Sequence, residues 1–434
     1  MSPAAYESTL AWLYRLEARQ GIDLKLERVR RAAAVLGHPE LAAPTFHVAG
    51  TNGKGSTAAM LAAMLAADGR RVGLYTSPHL VSFRERITIA GALIGEDAVV
   101  DGVARICEVL GASLDLTCFE VMTLLAWNAF AAARVDVIVL EVGLGGRLDA
   151  TNIVTPEVAI ITNVGFDHEA YLGRDLVSIA GEKAGIIKSG VPVVSGAIGV
   201  AADVVTARAV ALASPLEVLD RDFTLEPTVN GVLAYRSRAG TIAPLTLALA
   251  GAHQRRNAAL AVRALELAPA FTPSPAAIAA GLVDVRWPGR LQVVCREPLV
   301  LLDGAHNAAG IEVLVAEVRT LAVGRRVRVL FGVMRDKGWQ SMLRALGEVA
   351  TEIVLTRPRQ PRSAPPEALV EAVSGPVRVH EDPADAYRQL LATSAPDDVV
   401  VVAGSLFLVG DLLPIIDPTL TAAAERERSA ARLA

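Results

Sequence analysis

The sequence predicts an α/β fold built on a mostly parallel sheet. Three observations predict it. Short apolar runs alternate with Ala- and Leu-rich helical stretches, some runs are apolar at nearly every position, and a glycine-rich turn links one run to a helix. A strand covered on both faces has no need of polar alternation, which is the habit of parallel sheets.

The elements follow in order. Thr45–Ala49 reads as a strand, followed by a glycine-rich turn and a helix over Lys54–Ala67. Residues 135–140 (VDVIVL) read as a fully buried strand ending at the acid Glu141, and residues 158–162 as another ending at Asn163. Residues 174–188 read as a helix. The stretch 214–249 is β-rich, and its Asn230-Gly231 pair signals a hairpin turn, so a small antiparallel patch is expected there. A break falls at Arg286-Trp287-Pro288-Gly289-Arg290, and a fresh βα series follows with strands at Leu299–Leu302, Val327–Phe331, 353–355 and Val399–Ala403. The expected domains are therefore 1–287 and 288–434. The last dozen residues, rich in Ala, Glu and Arg, read as a frayed helix, and no internal repeat is visible.

Composition narrows the function classes. The chain has 434 residues, 52% hydrophobic and 4% aromatic, so its cores are aliphatic and number two or three. The net charge is −4 with no clustered Lys and Arg, which argues against a nucleic-acid partner. Cys107, Cys118 and Cys295 are odd in number and far apart, which fits a reducing compartment rather than a disulfide framework. The start of the chain lacks an export pattern, and the apolar run 121–133 is too short to span a bilayer. The reading is a cytosolic protein without a membrane partner.

Gly50-Thr51-Asn52-Gly53-Lys54-Gly55-Ser56-Thr57 carries the first chemistry. Glycines let several backbone N–H groups turn inward on phosphate oxygens, and the helix N-terminus adds positive potential. Lys54 can reach the outer phosphates, and Ser56 or Thr57 can face a magnesium ion. Gly55 separates the lysine from the hydroxyl, a departure from the usual order of Lys followed directly by Ser or Thr. The loop indicates a nucleotide and leaves the reaction open.

A second constellation begins at Glu141. An acid at the C-terminal end of a parallel strand, beside the strand of the phosphate loop, stands where a magnesium ligand belongs. Glycines follow, then Asp149. Asn163-Val164-Gly165-Phe166-Asp167-His168 follows the next strand, and His168 at the same sheet edge is a metal candidate. Glu182-Lys183-Ala184-Gly185 lies on the helix after it.

These segments resemble the Mur ligase superfamily, and within it the dihydrofolate synthase/folylpolyglutamate synthase branch. GTNGKGST (50–57), SPHL (77–80), EVGLGGRLDATN (141–152), NVGFDH (163–168), EKAGIIK (182–188), PGR (288–290), DGAHN (303–307) and GSLFLVG (404–410) occur in order across nearly the whole chain. The resemblance implies a P-loop NTPase-like ATPase domain, then a smaller Rossmann-like domain, with the reaction in the cleft between them. It implies that ATP phosphorylates a carboxylate and that the amine of L-glutamate attacks the acyl phosphate.

Carried over by position, the resemblance assigns Gly50 through Thr57 to ATP, with Asn257, Arg290 and Asp303. It assigns Ser77 and Glu141 to one magnesium ion and His168 to a second. Lys183 matches a lysine that the family carbamylates with carbon dioxide, which converts an ammonium into an anionic oxygen ligand. Lys54, Lys183, Asp149, Arg290 and His306 are the implied catalytic set. Leu148, Asp149 and Ala150 fall in the substrate-side loop. Ala308 stands where the family usually has proline.

Two features favour the folate branch. Only 49 residues precede Gly50, fewer than the nucleotide-sugar domain typical of peptidoglycan-building Mur ligases. Ile22-Asp23-Leu24 and Thr117-Cys118-Phe119-Glu120 resemble pteroate-binding segments, and Phe119 is placed to stack on a pterin ring. The implied partners are dihydropteroate or a reduced folate and L-glutamate, bound by a monomer. A polyglutamate synthase alone, another Mur-type ligase, and a non-enzymatic nucleotide switch stay open at this point.

Overall fold

Thr45–Ala49, Val137–Glu141 and Val158–Ile161 are buried at every position. Such strands can pair only where both faces are covered, and they lie side by side in parallel register, Val48 opposite both Glu141 and Ile160. In this computed structural model, which describes residues 3–111 and 115–434, they form the middle of an eight-stranded sheet. Met1 and Ser2, part of the stretch read for an export signal, lie outside the described residues. The strand order is Ala92–Leu93, Ile87–Ile89, Val72–Tyr75, Val137–Glu141, Thr45–Ala49, Val158–Ile161, Val193–Ser195, Leu216–Val218. Pairing is parallel except at Ile87–Ile89, which is antiparallel to both of its neighbours.

The chain divides into two compact units: Met1–Ala248 with Gln254–Arg286 and Glu425–Ala434, and Leu249–His253 with Trp287–Ala424. The second unit holds a six-stranded sheet ordered Gln292–Arg296, Leu299–Leu302, Val399–Ala403, Val327–Phe331, Glu352–Thr356, Val377–His380, parallel except at the first pair. Its core is aliphatic around Phe331. The core of the first unit gathers Trp127, Phe130, Phe83 and Tyr75 with helices Pro3–Gln20, Leu26–Val35, Glu96–Leu110 and Cys118–Ala133. Among the described residues, no single helix is long and apolar enough to cross a membrane.

Three expectations need correction. The antiparallel patch is smaller than 214–249: Thr224–Pro227, Leu233–Ser237 and Gly240–Leu245 form it, with Asn230-Gly231 in the first turn. Leu216–Val218 instead extends the main sheet in parallel, because its partner Val193–Ser195 presents a parallel edge. The carboxyl-terminal residues are no frayed end. The helix Thr421–Leu433 carries Glu427, which accepts from the Tyr14 hydroxyl and from Phe83 N at 2.6 Å, while Arg426 grips Glu96 at 2.5 and 2.7 Å. For the same reason Glu425–Ala434 groups with the first unit, not with residues 288–434. A composition of Ala, Glu and Arg looks solvated in sequence, and only the long-range partners reveal otherwise.

Candidate active site

The phosphate loop is held open by its neighbours. Gly53 is in the left-handed region at φ 82°, and a Cβ there would lie 2.4 Å from Asn257 Oδ1, so only glycine fits. Two residues beyond the adjacent strand brace the loop. Asn52 N donates to Asn163 Oδ1 at 3.0 Å, and Thr162 Oγ1 donates to Asn52 O at 2.7 Å. Thr51 Oγ1 donates to Gly165 O and accepts from Gly165 N. The helix Lys54–Ala67 starts at once, and its first-turn side chains turn inward. Ser56 accepts from Gln254, and Thr57 is fully buried with its hydroxyl unpartnered among the described residues. Neither hydroxyl is displayed on the loop surface.

Two lysines converge on one carbonyl. Lys54 Nζ donates to Gly50 O and Thr51 O, both at 3.2 Å, and Lys183 Nζ donates to the same Gly50 O at 3.0 Å. Lys183 is 3% exposed. Burial first, and then the nearby Lys54 charge, push its pKa down to about 7 against the opposing pull of Asp167 and Glu182. A buried, half-neutral lysine beside a phosphate loop is a reactive amine rather than a solvated charge.

Glu141 ends its strand buried, and its Oε2 accepts from Ser77 N at 3.0 Å, so the two proposed ligands of one metal are neighbours. His168 is exposed, has φ 52° and ψ 36°, and precedes the short helix Glu169–Leu172. A left-handed histidine is uncommon backbone, and such backbone clusters at functional sites. Its Nε2 lies 4.0 Å from Asp167 Oδ1. Among the described residues no three His, Cys, Asp or Glu side chains form a ready-made metal cage. The residues that the sequence assigned to metal are of mixed kind: the hydroxyl of Ser77, the carboxylate of Glu141, the imidazole of His168 and the amine of Lys183.

The loop after Glu141 is clamped to the Lys183 helix, Leu176–Ala184. Arg147 N donates to Glu182 O at 2.7 Å, and its guanidinium reaches Glu182 Oε1 at 2.7 and 3.0 Å. Asp149 turns into the loop. It is 1% exposed, with Oδ2 accepting from Leu144 N and Oδ1 from the amide and hydroxyl of Thr151. Its carboxylate therefore shapes the loop from within. Of its neighbours, Ala150 is buried and Leu148 is partly exposed.

The pteroate-like segments are joined by a residue that sequence reasoning missed. Arg28 donates to Asp23 Oδ2 at 2.7 Å, to Asp23 O at 3.0 Å and to Glu120 Oε1 at 3.3 Å. Glu120 in turn accepts from the amide and hydroxyl of Thr117, closing a capping box on Cys118–Ala133. Arg28 thus links Asp23 to Glu120 and, through it, to Thr117, and Cys118 is buried. Ile22, 50% exposed, Leu24 and the partly exposed Phe119 remain as the accessible apolar surface. The Phe119 ring fills the space where Gly143 would carry a Cβ, 2.4 Å from its nearest atom, so this segment touches the glycine loop.

In the second unit, Asp303 organises the end of Leu299–Leu302, accepting from Leu291 N and Ala305 N, both at 2.8 Å. His306 Nδ1 lies 2.8 Å from Gly304 O, which assigns the proton to Nδ1, and Arg290 Nη1 donates to Gly289 O at 3.3 Å. Asn307 caps the helix Ala308–Leu321, so the cap falls one residue past His306.

The descriptions "Mur ligase middle domain" and "Mur ligase, glutamate ligase domain" match residues 48–265 and 289–406. The chain is 35% identical to the dihydrofolate synthase/folylpolyglutamate synthase of Bacillus subtilis strain 168 over 94% of its own length and 98% of that protein. The chain belongs to this folate synthase family of Mur ligases. Among solved structures, Escherichia coli FolC in complex with DHPP and ADP superposes with a TM-score of 0.89 at 36% identity, covering 95% of this chain and 98% of that one. The Yersinia pestis bifunctional folylpolyglutamate synthase/dihydrofolate synthase complexed with AMPPNP and Mn ion gives 0.88 at 35%, covering 96% and 100%. For a folate synthase, the signal that could have revealed Arg28 was an arginine five residues after Asp23, one helical turn into an apolar-faced helix. Nothing local marks its second partner, Glu120.

Proposed function

We propose that the chain is an ATP-dependent amide ligase that adds L-glutamate to dihydropteroate and to a reduced folate. The observation that carries this is the convergence of Lys54 and Lys183 on Gly50 O, in a chain that matches folate synthases end to end. A carboxylate is a poor electrophile until one oxygen becomes a leaving group. Attack of the pterin carboxylate on the γ-phosphorus of ATP forms the acyl phosphate and expels ADP. The neutral amine of glutamate then adds to the acyl carbon, and the tetrahedral species expels phosphate, leaving an amide and releasing one proton.

In this reading the backbone of Gly50–Thr57 and Lys54 hold the triphosphate, with Asn257 beside the loop. Asp303, Arg290 and His306, all in the second unit, stand at the positions that the resemblance assigns to ATP and catalysis. Ile22, Leu24 and Phe119 provide the apolar surface for the pterin ring. Ser77 and Glu141 fit one magnesium ion by their adjacency, and His168 with a carbamylated Lys183 fits a second. When bound, these ions neutralise phosphate charge. The amine of Lys183 suits modification: with a pKa of about 7, about half is neutral at pH 7, and the lone pair bonds the carbon of CO2 while one proton leaves. The free thiols Cys107, Cys118 and Cys295 support a reducing, cytosolic setting.

The test is ADP release measured with dihydropteroate and with tetrahydrofolate, each with and without L-glutamate. Release that needs both a pterin acid and glutamate is the expected result. Turnover indifferent to glutamate with every pterin acceptor would refute the assignment.

A further inference from the structure

We infer that His47 is a positioning residue for the substrate-side loop: its imidazole holds Thr151, and through Thr151 it holds Asp149. His47 lies midway along the strand Thr45–Ala49 and is 0% exposed. Its Nε2 is 2.8 Å from Thr151 Oγ1, and the Thr151 hydroxyl donates to Asp149 Oδ1. A hydroxyl has one proton to give, so Thr151 must accept from His47. Nε2 therefore carries a proton.

The other nitrogen, Nδ1, is buried and has no hydrogen-bond partner among the described residues. Burial, with the Lys188 charge adding to it, holds the pKa down at about 3, so the ring does not gain a proton in the physiological range. An apolar side chain would pack in this strand without an orphaned nitrogen, so packing alone gives no reason for a histidine. What the ring contributes is one directed N–H. From it the chain of bonds runs from Thr151 to Asp149, and from Asp149 Oδ2 to Leu144 N at 2.9 Å, where Gly143 meets the Phe119 ring. Lys188 secures the other end of the loop, donating to Asn152 O at 3.1 Å and Asn152 Oδ1 at 2.8 Å. The sheet thereby sets the path of residues 143–152 under the pterin-facing aromatic. The inference rests on the reading of this loop as the substrate side of a folate synthase.

The experiment compares His47→Leu, His47→Gln, His47→Asn and Thr151→Val with the full-length wild type. Glutamine places an amide N–H near the position of Nε2, whereas asparagine reaches only the position of Nδ1. His47→Leu and His47→Asn should lower kcat/KM for the pterin acceptor on the order of a hundredfold, the scale of an ångström-level misplacement, with KM for ATP nearly unchanged. His47→Gln should recover most of it, and adding Thr151→Val to His47→Leu should cost little more, because the two residues act as one unit. Nitrogen NMR should show the neutral Nε2–H tautomer from about pH 5.5 to about 8.5, across the usual histidine range. The Leu144 amide should shift in His47→Leu. Wild-type kinetics in His47→Leu, a glutamine no better than leucine, or an imidazole that titrates in that window each overturns the inference. If the wild type itself shows no glutamate-dependent turnover, the ligase reading fails, and the NMR arm still decides the His47 chain.

Discussion

Replacing Lys183 with methionine should make the protein more stable and inactive. The shift from 10.5 to about 7 is 10.5 − 7 = 3.5 pH units, or about 5 kcal/mol of penalty on the ammonium form. Because the folded pKa lies below the unfolded one, the folded state binds fewer protons between pH 7 and 10.5, and stability rises with pH across that window. Below pH 7 the penalty is present in full, and above 10.5 it is gone. Methionine keeps most of the apolar stem, is one atom shorter, and removes the charge. In CO2-free buffer Lys183→Met should gain up to about 4 kcal/mol at pH 7. The wild type should close roughly 2 to 3 kcal/mol of that gap between pH 7.5 and 9.5. Urea unfolding of both proteins at the two pH values measures the difference directly. Turnover should fall on the order of a thousandfold, as for loss of a group that meets developing charge, and added acetate should restore part of it. A gap that does not change with pH, or a variant within threefold of wild-type activity, would refute the argument that this lysine is a buried, near-neutral amine at the phosphate site.

Two further outcomes follow from the loop braces. Arg28→Met should raise KM for the pterin acceptor about tenfold, the value of a charged hydrogen bond, with KM for ATP unchanged in steady-state assays; equal rises in both would argue against a local clasp. Gly53→Ala should abolish binding of a non-hydrolysable ATP analogue, as read by calorimetry, and destabilise the fold by roughly 1–2 kcal/mol from the left-handed backbone alone. Retained analogue affinity would show that the loop adapts around Asn257.

The central strands and the helix that opens at Lys54 were legible in the sequence. Their signals are local: VDVIVL is apolar at alternate and adjacent positions alike, and a glycine-rich turn with a lysine at a helix start has few other uses. Ordered motifs further established the family. Other facts were decided only by tertiary structure, because they depend on partners far apart in sequence. Glu427 is half-buried because Tyr14 and Phe83 meet it, and Leu216–Val218 is parallel because an edge strand was waiting. Asp149 turns inward because Leu144, Thr151 and, behind them, His47 supply the donors that saturate it. Lys183 has the residue type of a surface charge and the chemistry of a buried amine. Residue type sets which protons a side chain can hold, whereas desolvation and neighbouring charge, which exist only once the chain has folded, set whether it holds them.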